Sequence, residues 1–455
     1  MQLMLALQLL CQVINFKLIA PERRIRDPVG HEQYFHFTGH FRFVAKRLRE
    51  NSVDLLPSNM FEPSKRIGEI TESETLAMTK KARELRESGK DIISLTIGEP
   101  DFDTPMHICD AAYQAMKEGH THYPPVLGVL AFREAVCRKL QRENGLSYTP
   151  DQVIVSNGAK HSIINAVLSI INPGDEVLIP EPYWVSYPTM VDYAGGTCVY
   201  IPSSIENGLK PKAADIEKAI TDKTKLLIFS SPTNPSGAVW SQEELDSIAE
   251  VLRRHPQIFI ISDEIYERIN YGIGHTSIAS LPGMFERTAV VNGLAKGFAM
   301  TGWRIGYLAG PKWLVSACEK MQGLFTSGAS SVSQMAGIAA LEGDEKPLLE
   351  MTRIFRERRD LTLSLLSEIP GLKMSIPDGA FYVFPDISAF LGKQHQGRVI
   401  QTAEELCFYM LNEGVAAVSG TAFGMPNHIR ISYATNEENI RMAVQRMKSA
   451  LLQLQ

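Results

Sequence analysis

Lys296 lies in the run Gly293-Leu294-Ala295-Lys296-Gly297-Phe298, an unusual setting for a solvated ammonium. Desolvation lowers a lysine's pKa and prepares the amine as a nucleophile or Schiff-base former, although a lone loop lysine is most often simply exposed. Asp263, in Ser262-Asp263-Glu264-Ile265-Tyr266, closes an apolar run and places a carboxylate at the end of a buried strand. Capping a helix is an equally open role for it. Ser231-Pro232-Thr233-Asn234-Pro235-Ser236-Gly237 follows another apolar run, and two prolines around Asn234 impose a rigid turn. Ser156-Asn157-Gly158-Ala159-Lys160 follows a third. A glycine-containing turn into a helix N-terminus offers free N–H groups to an anion, and an ordinary strand–helix turn has the same pattern. Neither GxxxxGK[ST] nor GxGxxG occurs, so nucleotides lack their usual signature here.

These residues share a position in the pattern, because each follows a short apolar run. The runs cover 153–156, 176–180, 197–201, 225–230, 258–262, 288–292 and 305–309, and they alternate with helical periodicity. Such alternation predicts an α/β class, with seven buried strands in a mostly parallel sheet and helices on both faces. Ligands of open parallel sheets bind beyond the carboxyl ends of the strands, where the chemical residues fall. Helical period also covers about 75–88, 107–118, 128–144, 160–171, 312–321, 345–368 and 437–453, with weaker strands at 380–385 and 428–433. This divides the chain into an extension over 1–60, a segment over 61–110 packing with a small domain, a large domain over 111–350 and a small α+β domain over 351–455.

Composition narrows the class further. A chain with 44% hydrophobic and 21% charged residues is neither mostly disordered, nor collagen-like, nor a polytopic membrane protein. Its net charge of -5 gives no global drive toward nucleic acid or an anionic membrane. The cysteines (Cys11, Cys109, Cys137, Cys198, Cys318, Cys407) show no metal-site or disulfide spacing, so a reducing, cytoplasmic setting and no metal are expected. Residues 1–16 are apolar but shorter than the roughly 20 residues a membrane span needs. Residues 17–54 are basic and aromatic without sustained helical period. The extension therefore reads as an accessory tail, or as sequence ahead of a start at Met60, rather than a targeting peptide or nucleic-acid arm.

Taken in order, Asn234-Pro235-Ser236-Gly237, Ser262-Asp263-Glu264-Ile265-Tyr266 and Ala295-Lys296 with Gly302-Trp303-Arg304-Ile305-Gly306-Tyr307 resemble the fold-type I pyridoxal-phosphate aminotransferases. Within them the chain is most similar to the bacterial aspartate aminotransferase group of class I, from about Ser64 to the C-terminus. The resemblance implies bound pyridoxal 5′-phosphate, with Lys296 as its Schiff-base lysine and later the general base at Cα. It implies that Asp263 pairs with the ring nitrogen, that Tyr266 and Asn234 bond ring O3′, and that Trp184 stacks on the ring. The phosphate would rest on Gly158, Ala159 and Lys160 and on Arg304. Tyr123, in His122-Tyr123-Pro124-Pro125, matches a tyrosine that reaches the phosphate from a neighbouring subunit, which implies a homodimer with shared sites. Arg430, in His428-Ile429-Arg430-Ile431-Ser432, matches the arginine that holds the substrate α-carboxylate, with Gly98, Trp184 and Asn234 beside it. Gly293 and Ala295 depart from relatives that carry serine there, which removes one hydroxyl donor to the phosphate.

In this group a lysine after the phosphate-turn glycine and hydroxyls near the N-terminus read an acidic side chain. Lys160 matches the first, and Ser73 and Thr75 match the second. The implied reaction is L-aspartate plus 2-oxoglutarate giving oxaloacetate plus L-glutamate, in a ping-pong scheme. Prephenate transamination to arogenate is the nearest alternative, since prephenate is also a dicarboxylate. A lyase on the same cofactor, or a ligand-sensing domain without turnover, is less consistent with the intact set of Lys296, Asp263, Tyr266 and Arg430.

Overall fold

The seven apolar runs become the seven strands of one sheet in a computed structural model that describes residues 62–68 and 74–455. Expectations for the 1–60 extension, and for Ser73, lie outside the described residues. Residues 62–68 contribute a single helical turn, Lys65–Gly68.

A short strand, β1 (Ile93–Ser94), precedes the sheet. The sheet strands are β2 (Val153–Ser156), β3 (Glu176–Pro180), β4 (Thr197–Ile201), β5 (Thr224–Ser230), β6 (Phe259–Asp263), β7 (Thr288–Gly293) and β8 (Gly306–Ala309). Their spatial order is β2-β8-β7-β6-β5-β3-β4. All neighbouring pairs are parallel except those of β8, which runs antiparallel to both β2 and β7.

Alternation along β5 shows why the sheet is covered on both sides. Leu226 and Ile228 pack with Ile163 and Val167 of helix Ala159–Ile170. Leu227 and Phe229 pack with Leu245, Ile248 and Leu252 of helix Gln242–Arg254. Successive side chains of a strand point to opposite faces, so an unbroken apolar run needs two apolar partners.

Two expectations are corrected. The run 197–201 is only partly buried: β4 is an edge strand with Thr197 and Tyr200 exposed, whereas the other edge strand, β2, is buried throughout. Helices Ser186–Tyr193, Ala213–Ala219, Gln242–Arg254, Ser331–Glu342 and Ala403–Asn412 occur where periodicity named no range. One of these carries a readable signal. Ser241 accepts from Glu244 N–H while the Glu244 side chain returns to Ser241 N–H, a capping box written Ser-x-x-Glu.

Beyond the sheet, β9 (Tyr382–Val383), a hairpin of β10 (Gln394–His395) and β11 (Arg398–Val399), then β12 (Val415–Ala416), β13 (Val418–Ser419) and β14 (Ile429–Ser432) follow. β14 lies between β13 and β9, antiparallel to both, and β1 pairs in parallel with β12. These strands share an apolar cluster with helices Glu74–Glu87, Lys346–Ser367, Ala403–Asn412 and Glu437–Leu452. Among the described residues no helix is long and apolar enough to cross a membrane.

Candidate active site

β2, β5, β6 and β7 all end on one side of the sheet, and the segments that follow them line a cavity of about 560 Å³. Gly158, Ala159 and Lys160 come after β2, Asn234 after β5, and Tyr266 after β6, while Asp263 is the last residue of β6. Lys296 and Arg304 come from the loop between β7 and β8. Trp184 comes after β3, and the remaining lining is built from segments outside the sheet: Thr79, Thr96, Gly98, Tyr382 and Arg430.

Lys296 Nζ donates to Gly98 O. Burial drives its pKa down to about 8, with Arg430 and Arg304 adding to the effect and Glu99 and Asp263 opposing it. That value leaves about a tenth of the amine neutral at pH 7, against well under a thousandth for an ordinary lysine of pKa about 10.4. Asp263 is 4% exposed. Burial pushes its carboxyl up to about 6, against the donated hydrogen bonds of Tyr187 Oη (2.7 Å) and Ile265 N–H (3.3 Å). No helix starts at Asp263, so its carboxylate closes an Asx-type turn rather than capping a helix.

Arg430 is 2% exposed on β14. Its Nη1 donates to Asn234 Oδ1 (3.0 Å) and its Nη2 to Thr96 O (2.7 Å), while Nε is buried with no partner. Tyr382 lies under the guanidinium, 4.6 Å from ring centroid to Cζ. Its hydroxyl is 2.8 Å from that of Tyr266. A Cβ on Gly98 would come 3.1 Å from Tyr382 Oη, a tight approach that Tyr382 would have to yield to.

At the other end, Gly158 has φ +85 and opens helix Ala159–Ile170. A Cβ there would lie 2.7 Å from Arg304 Nη2. Arg304 itself is anchored by Nη2 to Asn157 O (3.2 Å) and by Nη1 to Thr301 O (2.9 Å). Helix-terminal N–H groups beside a guanidinium form a cradle for an anion. Lys160 Nζ sits 4.9 Å from the Trp184 ring, and burial followed by repulsion from Arg304 lowers its pKa.

The structure thus gathers Gly98, Gly158, Ala159, Lys160, Trp184, Asn234, Asp263, Tyr266, Lys296, Arg304 and Arg430 around one cavity. Tyr123 is not among them and is 95% exposed. Of Thr75 only the backbone is described, in the first turn of helix Glu74–Glu87; Thr79, one turn later, lines the cavity. Sequence reasoning missed Tyr187 and Tyr382. Tyr187 stands three residues after Trp184, whose carbonyl accepts from its N–H, but Trp184 precedes the helix and no helical period marks the pair. Tyr382 pairs with a residue 116 positions away, and no local pattern marks it.

Residues 90–447 match the family described as aminotransferase class I and II. A bifunctional aspartate aminotransferase and glutamate/aspartate-prephenate aminotransferase of Petunia hybrida is 51% identical over 398 residues, 86% of this chain and 82% of its own. The solved aspartate aminotransferase of Rhizobium meliloti superposes with a TM-score of 0.84 at 42% identity, covering 87% of this chain and all of that one. That of Thermus thermophilus with maleate gives 0.81 at 41%, covering 86% of this chain and 100% of that one. The chain belongs to the class I and II aminotransferases, and its fold is that of the fold-type I pyridoxal-phosphate enzymes. Its cofactor is pyridoxal 5′-phosphate, and its substrates are amino acids and 2-oxo acids. The site fits that group on its own chemistry. It offers a desolvated amine, a buried carboxylate, an anion cradle at Gly158 and a buried guanidinium on the lining of the same cavity.

Proposed function

We propose that this protein transfers the amino group of L-aspartate to 2-oxoglutarate, in two half-reactions that share one site. The observation that carries this is the convergence of Lys296, Asp263 and Arg430 on a single cavity with Lys160 on its lining. The names of the petunia, Rhizobium and Thermus relatives support the same reading.

Bound pyridoxal phosphate supplies an electron sink for the pair left on Cα when its proton departs, and it stores the amino group between the half-reactions. The chain's residues do the rest. Lys296 holds the cofactor covalently, and its freed amine takes the Cα proton. Asp263 keeps a proton on the ring nitrogen, Tyr266 and Asn234 face ring O3′, and Trp184 covers the ring. Gly158, Ala159, Lys160 and Arg304 receive the phosphate. Arg430 takes the substrate α-carboxylate with guanidinium N–H donors that Asn234 and Thr96 leave free. Gly98 lets Tyr382 approach closely.

Lys160 also selects substrates with a second carboxylate, helped by Ser73 and Thr75. A dicarboxylate satisfies the ammonium, whereas a neutral side chain leaves it unpaired in a partly desolvated site. Prephenate, another dicarboxylate, is a second substrate on the same grounds, and the bifunctional petunia relative favours it. Tyr123 completes the site of a neighbouring copy in a homodimer, a role its 95% exposure supports. The segments 61–110 and 351–455 act together as the small domain, supported by the β1–β12 pairing, with 111–350 as the large one. The scattered spacing of the cysteines fits a cytoplasmic setting.

Lys160→Met tests the substrate reading. It should lower kcat/KM for L-aspartate about 10- to 100-fold more than for L-leucine, any loss of phosphate contact falling on both alike. Equal losses on both would remove Lys160 from substrate selection.

A further inference from the structure

We infer that Tyr187 is a positioning residue for Asp263: its buried hydroxyl, 2.7 Å from Oδ2, fixes the carboxylate's rotamer and supplies the donor that its charged form requires. The inference rests on the reading of Asp263 as partner of the ring nitrogen.

The geometry leaves Tyr187 little freedom. It is 1% exposed, and it stands in helix Ser186–Tyr193, one turn after Trp184. The two rings meet edge to face at 5.4 Å and 85°. The tyrosine ring is therefore clamped by the same indole that lines the cavity. An ionised carboxylate only accepts hydrogen bonds, and burial without donors disfavours it strongly. Asp263 has two donors: Tyr187 on Oδ2 and the longer Ile265 N–H bond, 3.3 Å, on Oδ1. Without the phenol only the weaker one remains.

Other groups set the balance. Ser230 is the register partner of Asp263 on β5, Glu264 follows it in the chain, Tyr266 lies one turn on, and Lys296 reaches in from the loop after β7. Glu264 opposes the charge of Asp263 and Lys296 favours it. Burial has already brought the carboxyl up to about 6 with the Tyr187 bond in place. Loss of that bond raises it further, so the ionised fraction falls near pH 6 and is unchanged well above pH 8.

The test is the pH dependence of cofactor affinity, read by equilibrium dialysis of full-length holoenzyme against graded pyridoxal phosphate from pH 5 to 9. In Tyr187→Phe the acid-side loss of affinity should begin about one pH unit higher than in the unmodified protein. At pH 6 this makes binding about fivefold weaker, approaching tenfold only near pH 5, with equal affinity at pH 9. A 3,5-difluorotyrosine at 187, a stronger donor, should move the loss the other way, and it keeps the test alive if the phenylalanine variant does not fold. Asp263→Asn should lose the component of this dependence centred near pH 6 and keep only the one that the Lys296 amine sets below about pH 8. A Tyr187→Phe curve that coincides with the unmodified one, or is uniformly weaker with an unmoved midpoint, overturns the inference while Asp263→Asn still lacks the component near pH 6. An Asp263→Asn curve that keeps that component overturns the reading of Asp263 itself.

Discussion

Asp263 and Glu264 are consecutive carboxylates at the end of β6, yet they belong to two different clusters of buried charge. Glu264 is wholly buried, bonded by Ser262 and Ser277 and 3.0 Å from His275 Nε2. Nearby, Glu267 is ion-paired with the fully buried Lys139 and accepts from Asn144 (3.0 Å). Burial alone would raise Glu267, but Lys139, His275 and Asn144 outweigh it and hold the carboxyl at about 2. Burial opposes protonation of His275, and Glu264 and Glu267 overcome that as well. Glu264, Glu267 and His275 are close enough to suggest a metal site, but the Lys139 ammonium already occupies Glu267. Each carboxylate there is matched by a cation of the chain.

The Asp263 cluster is arranged otherwise. Among the described residues neither Lys160 nor Arg430 is ion-paired with a carboxylate, and Lys296 rests on a backbone carbonyl. Charges that satisfy one another hold the fold. Charges turned toward a cavity are kept for something that enters it, at the cost of shifted pKa values.

Breaking each cluster should therefore give opposite phenotypes. Lys296→Ala should reduce turnover by about 10⁴-fold or more in a coupled oxaloacetate assay, with little change in melting temperature. Lys139→Met strands Glu267 without its cation. It should cost about 3 kcal/mol in denaturant titration while kcat at low temperature stays within about threefold. Arg430→Lys keeps the charge but loses the planar fork that serves Asn234 and Thr96 and, in the proposed role, a substrate carboxylate. It should lower kcat/KM about 100-fold without the stability loss of Lys139→Met. The mildest probe is pH. Capture of pyridoxal phosphate by cofactor-free enzyme needs the neutral Lys296 amine, so its rate should rise up to about pH 8 and then level. An ordinary lysine would keep gaining up to about 10.4.

The sheet was legible because parallel strands buried on both faces leave unbroken apolar runs, and the chemical motifs sit at their ends. Lys296, Asp263, Asn234 and Gly158 could thus be placed before any contact was known. The remaining lining was not legible in the same way. Tyr382 lies on a two-residue strand, Thr96 lies just beyond another, and both acquire meaning only through β14 and Arg430. The motif Asp-Glu-Ile-Tyr concealed the division between the two clusters, because alternation at a strand end sends neighbours to opposite sides. Tyr187 was missed because its helix spans only Ser186–Tyr193, with a proline inside it, too short for its period to stand out.

The central claim is that one cavity captures an acidic amino acid and removes its amino group. The direct measurement is a visible absorption spectrum of holoenzyme mixed with L-aspartate and no oxo acid. The account predicts loss of the lysine-bound cofactor band, gain of the amine form, and one equivalent of oxaloacetate per site. A coloured enzyme whose spectrum L-aspartate leaves unchanged would contradict it.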